Sequence, residues 1–435
     1  MQNDKLIEDY ELKPVPENER QGWFQLTMVW VAGIIALSAT ALGGALGSGM
    51  SLNEAIIASL IGTFILSILS ALCGIVGAKT GLSTALVSSF ALGRFGSMAV
   101  SVIIAISLFG WFGVQLDLFG SSLNKVISDV FGVDISPVIL MIVGGLLMTI
   151  TSCIGYKAIE KLSLFAVPLL AILLIGSVYL ASRSFTYQEL NSAPITSDPL
   201  TIGMAISLVI GSLAVGAIIG PDISRYAKSA KDSVIASFLG YFIGFSIVLV
   251  ISAILAKATN EVDVVAIMIG LGWGTGGMLV LILAQWTTNN TNLYSSALGF
   301  SVIFQKIPKY ILTIIAGIVG TTFAIFGIYD NFIMFLSVLS VLIPPIGGIY
   351  TADFIFRHRS YSFTKIDTIQ NVRIYSIINW GVASCIAFMT SPSPTGFGLF
   401  SITGVSGLDA FLIAFFIQIS ICALQRKSTN KEAEA

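Results

Sequence analysis

A polar stretch, Ala284 to Ser296, interrupts a long hydrophobic segment of this sequence. At helical spacing its hydroxyls and carboxamides form one face, made of Gln285, Thr288, Asn289, Asn292 and Ser296. Polar groups at this depth in a membrane need partners. They can join neighbouring helices, as Ser, Thr and Asn often do, or they can bind a small molecule and an ion. Six consecutive hydrogen-bonding residues exceed what helix association needs, and this favours a binding site.

A second candidate site lies in the segment Gly110 to Gln115. Trp111 and Gln115 are four residues apart, so they share one face of a helix. An indole is a stacking surface for a flat heterocycle, and a primary amide both donates to and accepts from an amide or amidine edge. The alternative is a packed tryptophan beside a glutamine that is hydrogen-bonded to a neighbouring helix.

The composition limits what kind of protein can carry these sites. Of 435 residues, 55% are hydrophobic and 10% are charged, whereas soluble domains have about 25% charged residues. We therefore expect a polytopic helical protein whose partner is the lipid membrane. Basic clusters are nearly absent, which argues against a nucleic-acid partner, and no secretory signal peptide is visible. The four cysteines have no metal-binding spacing and are expected in the core. No cofactor is expected.

Hydropathy predicts twelve membrane spans within one transporter domain, residues 23–426, between cytoplasmic tails at 1–22 and 427–435. The predicted spans are Phe24–Gly47, Ala55–Gly77, Ser97–Leu123, Pro137–Ile154, Leu162–Ala181, Leu200–Gly220, Val234–Ala256, Gly277–Phe304, Tyr310–Ile328, Phe332–Ile355, Ile374–Met389 and Phe400–Leu424. The short segment Glu261–Trp273 is expected to be an extracellular interfacial or re-entrant helix.

The distribution of Lys and Arg predicts the orientation. With a cytoplasmic N-terminus, only Lys125, Arg183 and Lys257 of the 22 Lys and Arg residues fall outside. Such a bias is typical of the cytoplasmic side of a membrane protein. We therefore expect a multi-pass protein of the plasma (inner) membrane with both termini in the cytoplasm.

Spans one and six are both interrupted by glycine. Span one contains Ala32-Gly33 and a glycine-rich run from Leu42 to Gly49, and span six contains Gly211 to Gly216. Small residues of this kind can simply let helices approach closely. At corresponding places in two halves, however, they indicate discontinuous helices in an inverted-repeat transporter. The five-plus-five repeats would cover residues of about 23–181 and 199–356, with two extra helices at about 374–424.

An interrupted helix frees backbone carbonyls, and a hard alkali cation binds carbonyl and hydroxyl oxygens. Thr287 and Thr288 can supply two hydroxyls, and the backbone from Ala32 to Ile35 can supply carbonyls. Asp117 is an alternative proton carrier, since an acid inside a span is costly unless it is paired or functional. The single histidine, His358, falls in a loop, which favours sodium as the coupling ion.

Two further features are expected near the cytoplasmic ends of the spans. Asp222, Arg225 and Asp353 can form inner-gate ion pairs, although ordinary surface pairing explains them equally well. Pro344-Pro345 should kink span ten, either as part of a gate or as a simple bend.

Several segments of the chain resemble the cytosine permease branch of the nucleobase:cation symporter family. The resemblance covers roughly residues 20 to 360 and rests on these blocks: Leu26-Thr27 to Gly43-Gly44, Gly77 to Leu82, Gly110 to Gly113, Gly220 to Tyr226, Trp286 to Asn289 with Leu293-Tyr294, and Ile343 to Gly348 with Ala352-Asp353. The resemblance implies a LeuT-type fold of twelve helices, with helices one and six interrupted. It also implies import of a nucleobase by sodium symport with alternating access.

The resemblance also implies which residues bind. For sodium, it implies carbonyls of Ala32, Ile35 and Ala284 and hydroxyls of Thr287 and Thr288. For the substrate, it implies stacking on Trp111 and contacts with the residues around the span-six break and on span eight, namely Ser212, Leu213, Ala214, Gly216 and Asn289.

Three positions depart from the cytosine permease pattern. Leu108 replaces a glutamine, and Leu213 replaces an aromatic residue on the other side of the substrate ring. Gln115 instead resembles the hydantoin-transporting branch. Cytosine, another purine or pyrimidine, and a related cyclic amide therefore remain alternatives. A further alternative is a proton-coupled symporter of a hydantoin, allantoin or hydroxymethylpyrimidine-type substrate.

A channel or a membrane enzyme is disfavoured by the sequence. The predicted spans hold no cluster of His, Cys and acidic residues suited to catalysis, and no selectivity-filter run. We therefore expect a carrier and not an enzyme, acting as a monomer on a small nucleobase-like molecule with the sodium ion as its second partner.

Overall fold

The computed structural model describes most of the chain. The described residues are 13–34, 36–154, 168–169, 171–180, 183, 185–260, 273–304, 306–393 and 395–434. They are mostly helical, and within these ranges no strand forms. The segment 261–272, predicted to be interfacial or re-entrant, lies outside the described residues.

The helices follow the predicted spans in chain order. Their bounds are α1 Trp23–Ile34, α2 Leu37–Gly49, α3 Leu52–Thr80, α4 Thr84–Phe131, α5 Pro137–Ile154, α6 Ala171–Leu180, α7 Tyr187–Ser192, α8 Ile202–Ile218, α9 Gly220–Ser224 and α10 Ala230–Ser237. A π-helical segment, Phe238–Phe245, continues into α11 Ser246–Thr259, which is followed by α12 Gly274–Ile303, α13 Lys309–Ile325, α14 Phe332–Leu342, α15 Pro344–Arg357, α16 Ile374–Thr390 and α17 Ser406–Glu434. Within the described residues, five apolar helical stretches are long enough to cross a membrane: Leu52–Thr80, Thr84–Phe131, Ala230–Thr259, Tyr329–Ser360 and Ser406–Arg426.

The first span is interrupted between α1 and α2, as predicted. Ala36 is extended, with φ −133° and ψ 156°. Its N–H donates to the carbonyl of Ile34 at 2.9 Å and not to that of Ala32, four residues back. The carbonyl of Ala32 therefore lacks the N–H partner that an uninterrupted helix would supply.

The glycine run after this break has a different role. A methyl group added at Gly43 would lie 2.6 Å from the carbonyl oxygen of Leu249, and one at Gly47 would lie 2.6 Å from that of Ala253. Both glycines therefore let α2 pack directly on the backbone of α11. The chain unwinds beside Ala32-Gly33, and the glycines of α2 serve close packing.

The sixth span is interrupted at Leu213, inside α8. Its backbone, with φ −122° and ψ 16°, leaves the helical region, while the residues before and after it are helical. The second predicted interruption is therefore confirmed at the predicted place. A further break at Ile219 separates α8 from the short helix α9.

The tenth span is divided by its two prolines. α14 ends at Leu342 and α15 begins at Pro344, so the helix is interrupted at the two prolines. Proline has no N–H, so it cannot satisfy a carbonyl of the preceding turn. The N–H of Ile346, the helical partner of the Leu342 carbonyl, donates to the carbonyl of Ile343 at 3.1 Å. The carbonyl of Leu342 accepts a hydrogen bond of 3.0 Å from the indole of Trp380 in α16, so the first of the two extra helices contacts this interruption directly.

Asp353, near the end of α15, lies at the centre of a buried polar cluster. Its carboxylate pairs with Arg373 at 2.7 Å and more weakly with Arg357 at 3.5 Å. The hydroxyl of Tyr361 donates to it at 2.8 Å. Burial raises the pKa of Tyr361 well above its ordinary value, and the negative charge of the nearby Asp353 raises it further. This hydroxyl therefore stays protonated. The cluster ties α15 to the extra helices, since Gln418 of α17 also donates to Asp353 at 3.3 Å.

Arg373→Met is expected to lower the free energy of unfolding by roughly 3 kcal/mol, because it leaves a buried carboxylate without its main counter-ion. The matched control is Arg357→Met, which removes a partner whose side chain is 40% exposed and should cost less than about 1 kcal/mol. Thermal unfolding of both purified variants in detergent measures the difference. Equal losses of stability in the two variants would contradict the assignment of Arg373 as the main partner.

Two cysteines do not lie where the sequence predicts. Cys73 and Cys422 are buried, as expected, whereas Cys153 and Cys385 are exposed on the outside of the bundle. The expectation was wrong for these two because an apolar residue is tolerated equally well in the core and on a lipid-facing surface.

Candidate functional site

Trp111 lies in the middle of α4 and is buried, with 8% of its surface exposed. Its ring meets the rings of Phe332 and Phe335 with centroid distances of 6.2 and 5.4 Å and interplanar angles of 77° and 76°. Both contacts are edge-to-face, the geometry that aromatic pairs favour over a face-to-face sandwich. The two phenylalanines of α14 therefore hold the indole by edge-to-face contacts, and neither phenylalanine ring stacks parallel to the indole ring.

Gln115 connects α4 to the region of the first-span break. Its Nε2 donates to the hydroxyl of Ser38 at 3.0 Å, and Ser38 lies two residues beyond the extended Ala36. Only 1% of Gln115 is exposed. Its Oε1 atom has no hydrogen-bond partner, and an unpaired buried acceptor of this kind is costly. The carbonyl oxygen is therefore available to a bound molecule.

Asn289 presents a similar group from α12. Its Nδ2 donates to the carbonyl of Phe112 at 3.2 Å and lies 3.4 Å from the sulfur of Met148. The side chain is fully buried, and its Oδ1 has no hydrogen-bond partner. Because α12 packs along α4, the structure brings Asn289 beside the same part of α4 that carries Trp111 and Gln115.

The span-six residues lie around the Leu213 kink. The hydroxyl of Ser212 donates to the carbonyl of Val209 at 2.7 Å, within its own helix. Ala214 is buried and Leu213 is half-buried. A methyl group at Gly216 would lie 2.8 Å from the hydroxyl of Tyr241 in the π-helical segment. The hydroxyl of Ser212 is therefore bonded within α8, and Gly216 lies against the π-helical segment.

The proposed sodium ligands come from two elements. Ala32 lies in the last turn of α1, where carbonyls lack helical partners, and Ile35 lies outside the described residues. Ala284, Thr287 and Thr288 lie within one turn of α12, a helix that packs against α2. Thr287 is buried and Thr288 is half-buried. All of these donors are neutral oxygens, which suits a singly charged hard cation.

Asp117 is a buried acid in α4, the helix that carries Trp111 and Gln115. It is 8% exposed. The backbone N–H of Tyr329 donates to its carboxylate, and the acidic side chain of Asp330 lies close by. Asp117 therefore lies near the start of α14, six residues or about 1.7 helical turns from Trp111 along α4.

The sequence did not single out three residues that the structure places at the site. Ser38 follows the helix break and binds Gln115, while Phe332 and Phe335 hold the indole. A serine just after a helix break could have been selected as a site candidate from the sequence, because side chains there lie beside the freed backbone. Phenylalanines in an apolar span carry no comparable signal.

A helical bundle with interrupted first and sixth spans has the architecture of the LeuT-type fold. The solved structure titled "Inward facing conformation of Mhp1" superposes with a TM-score of 0.82 at 21% identity, covering 95% of this chain and 93% of that one. Residues 14–406 match the family described as "Permease for cytosine/purines, uracil, thiamine, allantoin". The chain belongs to this family of permeases, so it is a multi-pass membrane transporter of the nucleobase type and not an enzyme.

Two relatives show the range of this resemblance. The cytosine permease of Escherichia coli (strain K12) is 36% identical over 366 residues, which is 84% of this chain and 85% of the relative. The hydantoin permease of Microbacterium maritypicum is 22% identical over 402 residues, which is 85% of this chain and 81% of the relative.

Proposed function

We propose that this protein imports a nucleobase-like heterocycle across the plasma (inner) membrane by sodium symport with alternating access. The observation that carries the proposal is the pair of buried, unpaired amide oxygens, Gln115 Oε1 and Asn289 Oδ1, beside the α4 segment of Trp111. An apolar pocket with a few convergent polar groups is the usual form of a small-molecule site. The indole supplies the stacking surface, and the two oxygens accept hydrogen bonds from ring N–H groups.

The substrate is a flat ring with amide-type donors and acceptors. Relatives named as cytosine permease and hydantoin permease support this chemical class. Leu108 and Leu213 give this pocket fewer polar and aromatic groups than the cytosine permease pattern implies, while Gln115 adds an amide. Cytosine, another purine or pyrimidine, and a related cyclic amide all fit such a pocket.

Sodium is the proposed coupling ion. Carbonyls at the end of α1 and on α12, with the hydroxyls of Thr287 and Thr288, supply the neutral oxygens that a dehydrated sodium ion needs. Because the ion would join the end of α1 to α12, its binding would order the first-span break before the heterocycle enters. Ion binding would then favour substrate binding, and linkage makes that coupling reciprocal.

A second candidate is proton-coupled symport of a hydantoin, allantoin or hydroxymethylpyrimidine-type substrate, with Asp117 as the proton carrier. It is favoured by one observation, the burial of the Asp117 carboxylate close to Asp330. Burial disfavours the charged form of an acid, and the exposed side chain of Asp330 brings a second negative charge near it.

The purified full-length protein tests both candidates in a thermal-shift screen. The probes are cytosine, uracil, hypoxanthine, allantoin and hydantoin, each in sodium chloride and in choline chloride of equal ionic strength. We expect at least one heterocycle to raise the Tm in sodium chloride and to raise it much less in choline chloride. Proteoliposome uptake that persists without sodium but collapses with a protonophore would favour the Asp117 candidate. No stabilisation by any probe in either salt would contradict the proposed function.

A further inference from the structure

Gln285 is a buried amide whose role in the fold is not explained by any partner. It lies in α12, four residues before Asn289, and its side chain is 0% exposed. Neither its Nε2 nor its Oε1 has a hydrogen-bond partner. Leaving even one buried polar atom unpaired costs free energy, so a carboxamide with both atoms unpaired indicates a missing ligand.

The other buried amides of the described chain differ from Gln285 in this respect. Gln418 donates to Asp353 and Ser376, and Asn379 donates to the carbonyl of Ala414 at 2.8 Å. Asn290 accepts from Thr151 and Ser152. Gln115 and Asn289 each keep one atom bonded. The other buried amides therefore form hydrogen bonds to neighbouring helices, whereas Gln285 forms none.

The helical position of Gln285 shows where its side chain is directed. At about 100° per residue, Gln285 lies about 40° from Asn289 and about 60° from Thr288, between the two. Asn289 contacts α4, whereas Trp286 and Asn290, on the far side of Asn289, contact α5. Gln285 therefore turns away from α5 and toward the gap where α4 approaches α2. Gln115 and Ser38 meet in that gap.

We propose that Gln285 is a substrate-binding residue that determines specificity, and that it pairs with a ring edge carrying an N–H next to a C=O. A primary amide presents one acceptor and one donor side by side, which is complementary to the edge of a cyclic amide or ureide. The assignment rests on the proposed function, because it places this residue in the same heterocycle pocket. It also narrows the substrate class to rings with an unsubstituted amide edge.

Such a paired contact gives strong discrimination. A site built to hydrogen-bond a polar edge rejects an analogue that lacks the edge, since its own buried groups are then left unpaired. Gln285 would thus favour lactam-type and ureide-type rings over their N-methylated analogues. Trp111, by contrast, offers stacking to any flat ring and distinguishes them weakly.

The test compares purified wild-type protein with Gln285→Met, which keeps the length of the side chain and removes both polar atoms. The probes are cytosine, uracil, hypoxanthine, allantoin and hydantoin, together with a ring-N-methylated analogue of each probe that binds. Titration in sodium chloride is expected to give a Kd about 10- to 100-fold higher in Gln285→Met, since two hydrogen bonds are lost. The ratio of the Kd of the methylated ring to that of the unmethylated ring is expected to be smaller in the variant. The reason is that the ring N–H and the Gln285 carboxamide contact each other, so the effects of removing them are not additive.

Two controls separate this role from a structural one. Asn379→Met removes another buried amide with an unpaired oxygen, in α16, and should leave the Kd unchanged. Gln285→Glu should regain part of the affinity at low pH, where a neutral acid again offers a donor beside an acceptor. Sodium-induced stabilisation without a heterocycle should be the same in Gln285→Met as in the wild type.

The outcomes distinguish the two proposals. If the wild type binds a probe and Gln285→Met binds it with the same Kd and the same methylation preference, the assignment of Gln285 is wrong while the proposed function stands. A change in Tm alone, with Kd unchanged, would show that Gln285 acts on stability and not on binding, and would also overturn the assignment. If the wild type binds none of the probes, the proposed function is contradicted and the Gln285 assignment falls with it.

Discussion

Replacing Trp111 with alanine is expected to abolish heterocycle binding at the concentrations at which the wild type is half-saturated. Stacking of a base on an aromatic side chain is worth about 1–3 kcal/mol by alanine substitution, which at its upper end is about a 100-fold increase in Kd. The effect should be large here because Trp111 is buried and already oriented by Phe332 and Phe335. Titration of the purified variant with the heterocycle that stabilises the wild type measures it.

A graded series makes this prediction specific to stacking. Trp111→Phe keeps an aromatic face and should lose less affinity than Trp111→Ala. Trp23→Ala removes an indole that is 43% exposed at the start of α1 and should leave the Kd unchanged. An unchanged Kd in folded Trp111→Ala protein would exclude the indole from the site, whatever the other residues of α4 do.

The interruptions of the first and sixth spans could be predicted from the sequence, but composition alone offered two places for the break of the first span, Ala32-Gly33 and the run Leu42 to Gly49. Glycine both permits unwinding and permits close packing, so the run Leu42 to Gly49 was compatible with either. The structure resolves this because Gly43 and Gly47 lie against the backbone of α11. The contact joins residues about 200 positions apart in the chain, and such pairings are not contained in local composition.

In the candidate site, the residues themselves could be predicted from the sequence, but their contacts could not. Trp111, Gln115 and Asn289 stood out because polar and large aromatic side chains are unusual inside apolar spans. The partner of Gln115 did not stand out, since Ser38 is 77 residues away and is brought near only by the packing of α2 beside α4. The unpaired state of Gln285 could not be predicted either, because it depends on which groups the neighbouring helices place opposite it.

Lipid exposure limits sequence-based prediction in a further way. In a soluble protein an apolar cysteine-containing segment usually indicates the core, but a membrane protein has an apolar environment on both sides of a helix. Cys153 and Cys385 are therefore exposed on the bundle surface although their sequence surroundings resemble those of the buried Cys73. Only the packing of whole helices distinguishes the two environments.

Thr288→Ala is expected to weaken the sodium dependence of substrate binding while leaving the fold intact. The variant removes one hydroxyl from the proposed set of neutral oxygens, and a hydrogen-bond or ligand contact to a charged group is worth about 1.5–3 kcal/mol. The sodium concentration for half-maximal stabilisation should therefore rise by about 10-fold or more. Measuring the heterocycle Kd across a sodium series, with choline replacing sodium, gives this midpoint directly.

The matched controls lie in the same helix. Thr291→Ala removes an exposed hydroxyl that donates to the carbonyl of Thr287 at 3.1 Å, so it tests the effect of losing a threonine from α12 without losing a proposed ligand. Thr288→Ser keeps the hydroxyl and should keep the sodium midpoint near that of the wild type. If Thr288→Ala and Thr291→Ala shift the midpoint equally, the hydroxyl of Thr288 is not an ion ligand. Coupling would then have to come from the carbonyls at the end of α1 or from Asp117, and a protonophore would decide between them.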